Sequence, residues 1–162
     1  MVLLAAVAIA VALVPLLLAY LQLGYHPDVG GPRVDHAGDV ERTLSRSLVA
    51  ATADVPQEYD WARRRAAVTE VRDRLSETVT ALNRSGLARA TAIQVAYNQT
   101  LAADWIVDHC PDGPDRRFGP CEAVDGVAVQ ERGGETHVLG AAFDVRILRG
   151  DATITARPVV ER

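Results

Sequence analysis

Thr136-His137-Val138-Leu139-Gly140-Ala141-Ala142-Phe143-Asp144-Val145-Arg146-Ile147-Leu148 carries the clearest extended pattern in the chain. Leu139, Ala141, Phe143, Val145 and Ile147 recur at every second position, which puts them on one face of a half-buried strand. Arg132-Gly133-Gly134-Glu135 before it is a hairpin turn signal, and Arg149-Gly150-Asp151 after it makes a second turn. Val124 to Glu131 reads as a short strand upstream, and Ala152 to Val160 as a third strand downstream. The expectation over 122–162 is a three-stranded antiparallel β-meander whose apolar face lies on helices.

Those helices are sought upstream, over 39–109. Val40, Leu44, Leu48, Ala51 and Val55 form one apolar stripe at helical spacing, with Asp39 placed as its N-cap and Pro56 ending this segment or beginning the next. From about Gln57 to Ser85, Trp61, Val68, Leu75 and Leu82 recur every seven residues, opposite a face bearing Arg63, Arg64 and Arg65. Gly86 gives a C-terminal stop. Leu87, Ala90, Ile93, Tyr97, Leu101 and Trp105 then predict a third helix to Asp108, so the two long helices read as a helical hairpin.

Between helices and strands lies Cys110-Pro111-Asp112-Gly113-Pro114-Asp115-Arg116-Arg117-Phe118-Gly119-Pro120-Cys121, whose prolines and glycines predict irregular structure. A Cys110–Cys121 disulfide closing this loop is the favoured reading; free thiols, or a zinc site from His109, Cys110, Cys121 and His137, stay open. The pair lacks C-x₂₋₄-C spacing and the histidines lack an H-x₃₋₅-H partner.

The first two dozen residues set the expected placement. No charge occurs before Asp28. A helix from Val2 to Leu23 through Leu13 would span about 33 Å at about 1.5 Å per residue, enough for a hydrocarbon core. Pro15 is compatible with such a helix at the cost of a kink. A retained single-pass anchor over 1–23 is the favoured reading; a cleaved signal and a buried core helix are the alternatives. Residues 24–38, rich in glycine and proline and carrying His26 and His36, read as a juxtamembrane linker. The close cysteine pair, and the sequons Asn83-Arg84-Ser85 and Asn98-Gln99-Thr100, favour an extracellular domain at 39–162. Asn83 and Asn98 are candidate N-glycosylation sites.

The formal charge is −4 over 162 residues, and all 17 basic residues are arginine. No basic surface suggests nucleic acid. No G-x-S-x-G, H-E-x-x-H, P-loop or G-x-G-x-x-G occurs, so the reading is non-enzymatic and without cofactor or metal. Asp104, Asp108 and His109 are the nearest thing to a ligand cluster and read as the polar end of a helix.

The segment Val11-Ala12-Leu13-Val14-Pro15-Leu16-Leu17-Leu18-Ala19-Tyr20-Leu21-Gln22-Leu23-Gly24-Tyr25-His26 resembles the start of a family of small haloarchaeal membrane proteins regarded as pilin-like. The order of an apolar N-terminal helix, further helix and C-terminal antiparallel sheet is similar to the type IV pilin and pseudopilin plan. Ala5 stands where bacterial pilins carry glutamate. The resemblance implies a structural subunit of a surface filament or secretion apparatus, with membrane lipid and other pilin-like subunits as partners. The other reading is a membrane-tethered extracellular binding or sensory domain, using the Cys110–Cys121 loop or the hairpin tips.

Overall fold

A computed structural model describes residues 36–85, 91–113 and 118–162. The chain divides into two units, Met1–Val34 and Asp35–Arg162, and the described residues all lie in the second. That unit is α+β. Helix α1 spans His36–Ala51, a single turn α2 spans Val55–Glu58, and α3 spans Arg64–Ser85. Strand β1 (Thr91–Tyr97) precedes α4 (Gln99–His109). Strands β2 (Phe118–Val124), β3 (Val127–Arg132), β4 (Glu135–Arg149), β5 (Ala152–Ala156) and β6 (Val159–Glu161) follow.

This corrects the expected plan of a transmembrane helix, a helical hairpin and a three-stranded meander. The sheet has six strands, all antiparallel. Among the described residues no helix is long and apolar enough to cross a membrane. The expected span from Val2 to Leu23, with Leu13 and Pro15, lies outside the described residues, as does the linker up to Asp35. A single-pass anchor, and the cell-membrane placement with an extracellular domain built on it, are therefore not supported.

The α1 stripe is the buried face of its helix: Val40, Leu44, Leu48 and Ala51 are all in the core, followed by Val55. The helix begins at His36, so Asp39 sits inside the first turn rather than at the cap, where it pairs with Arg42. The helix expected from Gln57 is interrupted. Tyr59 is extended and Asp60 caps a 3₁₀ turn, Trp61–Arg63, by accepting from Arg63 N at 2.9 Å. The interruption docks this segment on the sheet: Trp61 N donates to Gly134 O at 2.8 Å and Thr136 N to Tyr59 O at 2.9 Å. Helix α3 then buries Ala67, Val68, Val71 and Leu75. Two of the three clustered arginines are used internally. Arg63 donates to Glu58 O at 2.7 Å, and Arg64 pairs with Glu122 of β2 at 2.5 Å while covering the Trp61 ring.

The helix expected over Leu87–Asp108 is, from Thr91 on, a strand, a cap and a shorter helix; residues 87–90 lie outside the described residues. Thr91, Ile93 and Val95 are buried alternately, and β1 pairs with β4 from Thr91↔Arg149 to Tyr97↔Phe143. Non-local pairing overrides the helix-friendly alanines. Asn98 ends the strand and caps α4, its Oδ1 accepting from Leu101 N at 2.8 Å.

Strand β4 is the spine. Ala141 pairs with both Val127 of β3 and Val160 of β6, and Val145 with both Val95 of β1 and Ala156 of β5. One edge of β4 thus carries β3 and β1 end to end, and the other β6 and β5. Gly126 O accepts from Ala142 N, and Asn98 N donates to Ala142 O, both at 2.9 Å, where the first two meet. The β2–β3 turn is Asp125-Gly126, with φ of 49° and 86°. Pro120 is tolerated in β2 because β2 is an edge strand, irregular between Phe118 and Cys121.

One sheet face meets α1 and α3 through Val129, Val138, Ala141, Phe143, Val145 and Ile147. Leu139 leaves this series at the bulge opposite Ala128 and Val129. The other face presents Ala128, Gln130 and Ala142 to α4, whose Gln99 bonds Gly126 N and Ala123 O.

Tyr97 stands beside Phe143 with ring centroids 4.8 Å apart, and Arg72 covers its ring. Its buried hydroxyl has no hydrogen-bond partner among the described residues, and burial pushes its pKa up to about 12 against the pull of Arg72. Tyr97→Phe removes that uncompensated desolvation and keeps the ring contacts. Thermal unfolding should show a change between zero and about 1 kcal/mol of added stability.

Candidate functional site

Cys110, at the C-terminal end of α4, is joined to Cys121 of β2, with Cα atoms 6.0 Å apart. The thiol and zinc readings of this pair are thereby set aside. Beneath the bond lies Gln130, fully buried on β3. Its Nε2 donates to Pro111 O at 2.7 Å and Gly119 O at 3.4 Å, and its Oε1 accepts from Arg132 Nε at 2.8 Å. A buried side-chain amide needs such partners, and this one supports both ends of the tied loop.

The end of α4 and Pro111 border the sheet at a depression of about 540 Å³ lined by Trp105, His109, Pro111, Arg132, Val138, Leu139, Glu161 and Arg162. Each wall has a local cause. Helical spacing stacks the Trp105 and His109 rings, 4.7 Å apart and 8° from parallel, with His109 Nδ1 2.9 Å from Trp105 O. The β3–β4 hairpin brings Arg132, which covers the Phe118 ring at 4.5 Å. The bulge turns Leu139 toward the depression, and Arg162 N donates to Leu139 O at 3.0 Å, which seats the Glu161–Arg162 wall. The result is a flat aromatic wall, an apolar floor and a wall of mixed charge.

His137 stands near this wall, its Nε2 3.5 Å from Glu135. Burial first, and then the Arg132 guanidinium, lower its pKa below the ordinary 6.5, with Glu135 opposing. As pH falls past that value the unfolded chain takes up the proton before the folded one. The stability contributed by neutral His137 is complete above the unfolded value and is lost as pH falls through the folded one. Urea midpoints should therefore fall between about pH 8 and about pH 5, and less steeply in His137→Gln.

Of the candidate site residues singled out from sequence, His109 lines this depression, and Cys110 adjoins it in the chain between His109 and Pro111. Asn98 is elsewhere and occupied: its Nδ2 donates to Asp144 Oδ1 at 3.0 Å. Asn83 is exposed, with its Oδ1 accepting from Val95 N at 2.8 Å. Asp104 and Asp108 are exposed on α4. No group of three or more His, Cys, Asp or Glu side chains suited to a metal occurs among the described residues. Trp105, Arg132, Glu161 and Arg162 carry no motif, and it is the packing of α4 with the β3–β4 hairpin and β6 that brings them together.

The chain belongs to a family described as "Family of unknown function (DUF7261)", whose model matches residues 1–161. No curated protein and no solved structure matches it.

Proposed function

We propose that the chain is a non-enzymatic binding module, and that its ligand occupies the depression between α4, the tied loop and the β3–β4–β6 face. The observation that supports this reading is the stacked Trp105–His109 pair facing the Glu161–Arg162 wall across an apolar floor. Such sites pair an apolar ring face with a few placed polar groups. The ligand class is a small polar ring-bearing molecule. The chain has two tryptophans, so Trp61→Phe leaves Trp105 as the sole indole reporter. Titration with monosaccharides, uronic acids and aromatic amino acids should give a saturable shift in its fluorescence that Glu161→Ala weakens. Silence toward all three classes would remove the reading.

A pilin-like structural subunit is the second proposal. It is favoured by the order of α1 and α3 before an antiparallel sheet with a disulfide-tied loop. Filaments imaged from cells with and without the chain test it, and unchanged filaments would exclude it.

A further inference from the structure

We propose that β5 is a self-complementary edge on which a second copy of this chain docks about a twofold axis through Ile154. This goes beyond the ligand site, which lies at the opposite end of β4.

β5 reads Ala152-Thr153-Ile154-Thr155-Ala156, the same in both directions. In an antiparallel pair of β5 strands centred on Ile154, each residue meets its own kind: Ile154 meets Ile154, Thr153 meets Thr155, and Ala152 meets Ala156. The flanks agree. Asp151 comes opposite Arg157, an acid against a base on each side of the axis. Arg157 is 70% exposed where it reaches Asp144 at 3.4 Å, so its guanidinium is within reach of solvent and of a partner.

The backbone also has the required phase. The two-residue turn at Gly150-Asp151 makes Arg149↔Ala152 the closing hydrogen-bonded pair, followed by Ile147↔Ile154 and Val145↔Ala156. Thr153 and Thr155 therefore direct their N–H and C=O groups away from β4. Across the axis they form two doubly bonded Thr153–Thr155 pairs. Ile154 falls in the non-hydrogen-bonded site between them, where facing side chains are closest.

Burial points to the same occupant. Ile93, Ile147 and Ile154 form one cross-strand row, and exposure rises from 8% and 1% to 53% along it. A second copy extends the row with its own Ile154, Ile147 and Ile93. β5 also lacks the inward charge, proline or bulge with which solitary edges avoid pairing. Isologous contact of one patch with itself closes at a dimer.

The test is site-directed crosslinking of the full chain with its native disulfide retained. Ile154→Cys places two thiols in a facing non-hydrogen-bonded pair, where Cα atoms about 4.5 Å apart suit a disulfide. Mild oxidation should give a covalent dimer. Val107→Cys, at a side chain 79% exposed on α4, should give little. Thr155→Pro added to Ile154→Cys removes an outward N–H and leaves the β4 ladder whole, so most of the dimer should be lost while the circular dichroism spectrum is kept. A monomeric Ile154→Cys chain, equal crosslinking through position 107, or a dimer indifferent to Thr155→Pro would overturn the proposal. Capture of a different protein by the introduced thiol in place of a second copy would also overturn it.

Discussion

Phe143→Ala should lower the unfolding free energy by about 3–5 kcal/mol. Phe143 is the largest fully buried side chain among the described residues, 1% exposed at the middle of β4. It meets Tyr97 of β1, and its backbone N–H donates to Pro158 O at 3.0 Å. Truncation empties a space whose walls cannot close in, because β1 and β3 hold one edge of β4 and β5 and β6 the other. A domain of this size holds about 5–15 kcal/mol in all, so the loss is a large share of it. Urea unfolding measures it, with the exposed Val107→Ala expected within about 0.5 kcal/mol of the parent as the control. A Phe143→Ala midpoint matching that control would show that β4 is not the centre of the core.

Replacing Cys110 and Cys121 together by serine should cost about 2.5–3 kcal/mol, since the closed loop is about 12 residues and chain entropy gives a cost of that order. The loss has a local component as well. Pro111 O and Gly119 O lie on the two sides of the tie, and Gln130 bonds both from beneath. Without the tie the fully buried Gln130 amide keeps its desolvation and loses fixed partners. The Trp105–His109 wall should then broaden, which Trp105 fluorescence in the Trp61→Phe background reports alongside the shift in denaturant midpoint. Wild-type stability in the double serine variant would mean that Gln130 alone holds the loop.

The elements readable from sequence are those whose signal is local. The four-four-three spacing of Val40, Leu44, Leu48 and Ala51 is the buried side of α1, and alternation from Ala141 to Ile147 is the buried side of β4. Gly133-Gly134 forms its turn with both residues at positive φ. β1 reads wrongly as helix because Ile93, Tyr97 and Leu101 also fit a helical period. The competing signal, Thr91, Ile93, Val95 and Tyr97 at period two, is decided only by a partner strand some fifty residues later. Asp125-Gly126 is a hairpin signal that the single strand expected from Val124 to Glu131 runs through, so β2 goes unread. Pro120 conceals that strand, since its tolerance depends on β2 being at the edge. The depression is the least legible feature. Its walls come from α4, the tied loop, the β3–β4 hairpin and β6, and no spacing in the chain announces that they meet.

The reliance of the sheet on β4 also orders events during synthesis. Translation delivers α1 and α3 well before residues 135–149, so Leu44, Leu48, Val68 and Leu75 leave the ribosome without the sheet that covers them. β1 emerges with no neighbour and waits for β4, and α1 completes its packing only when β6, at the very end of the described chain, is out. The apolar faces of α1 and α3 thus stay uncovered until β4 and β6 are both available, and the fold closes late rather than element by element.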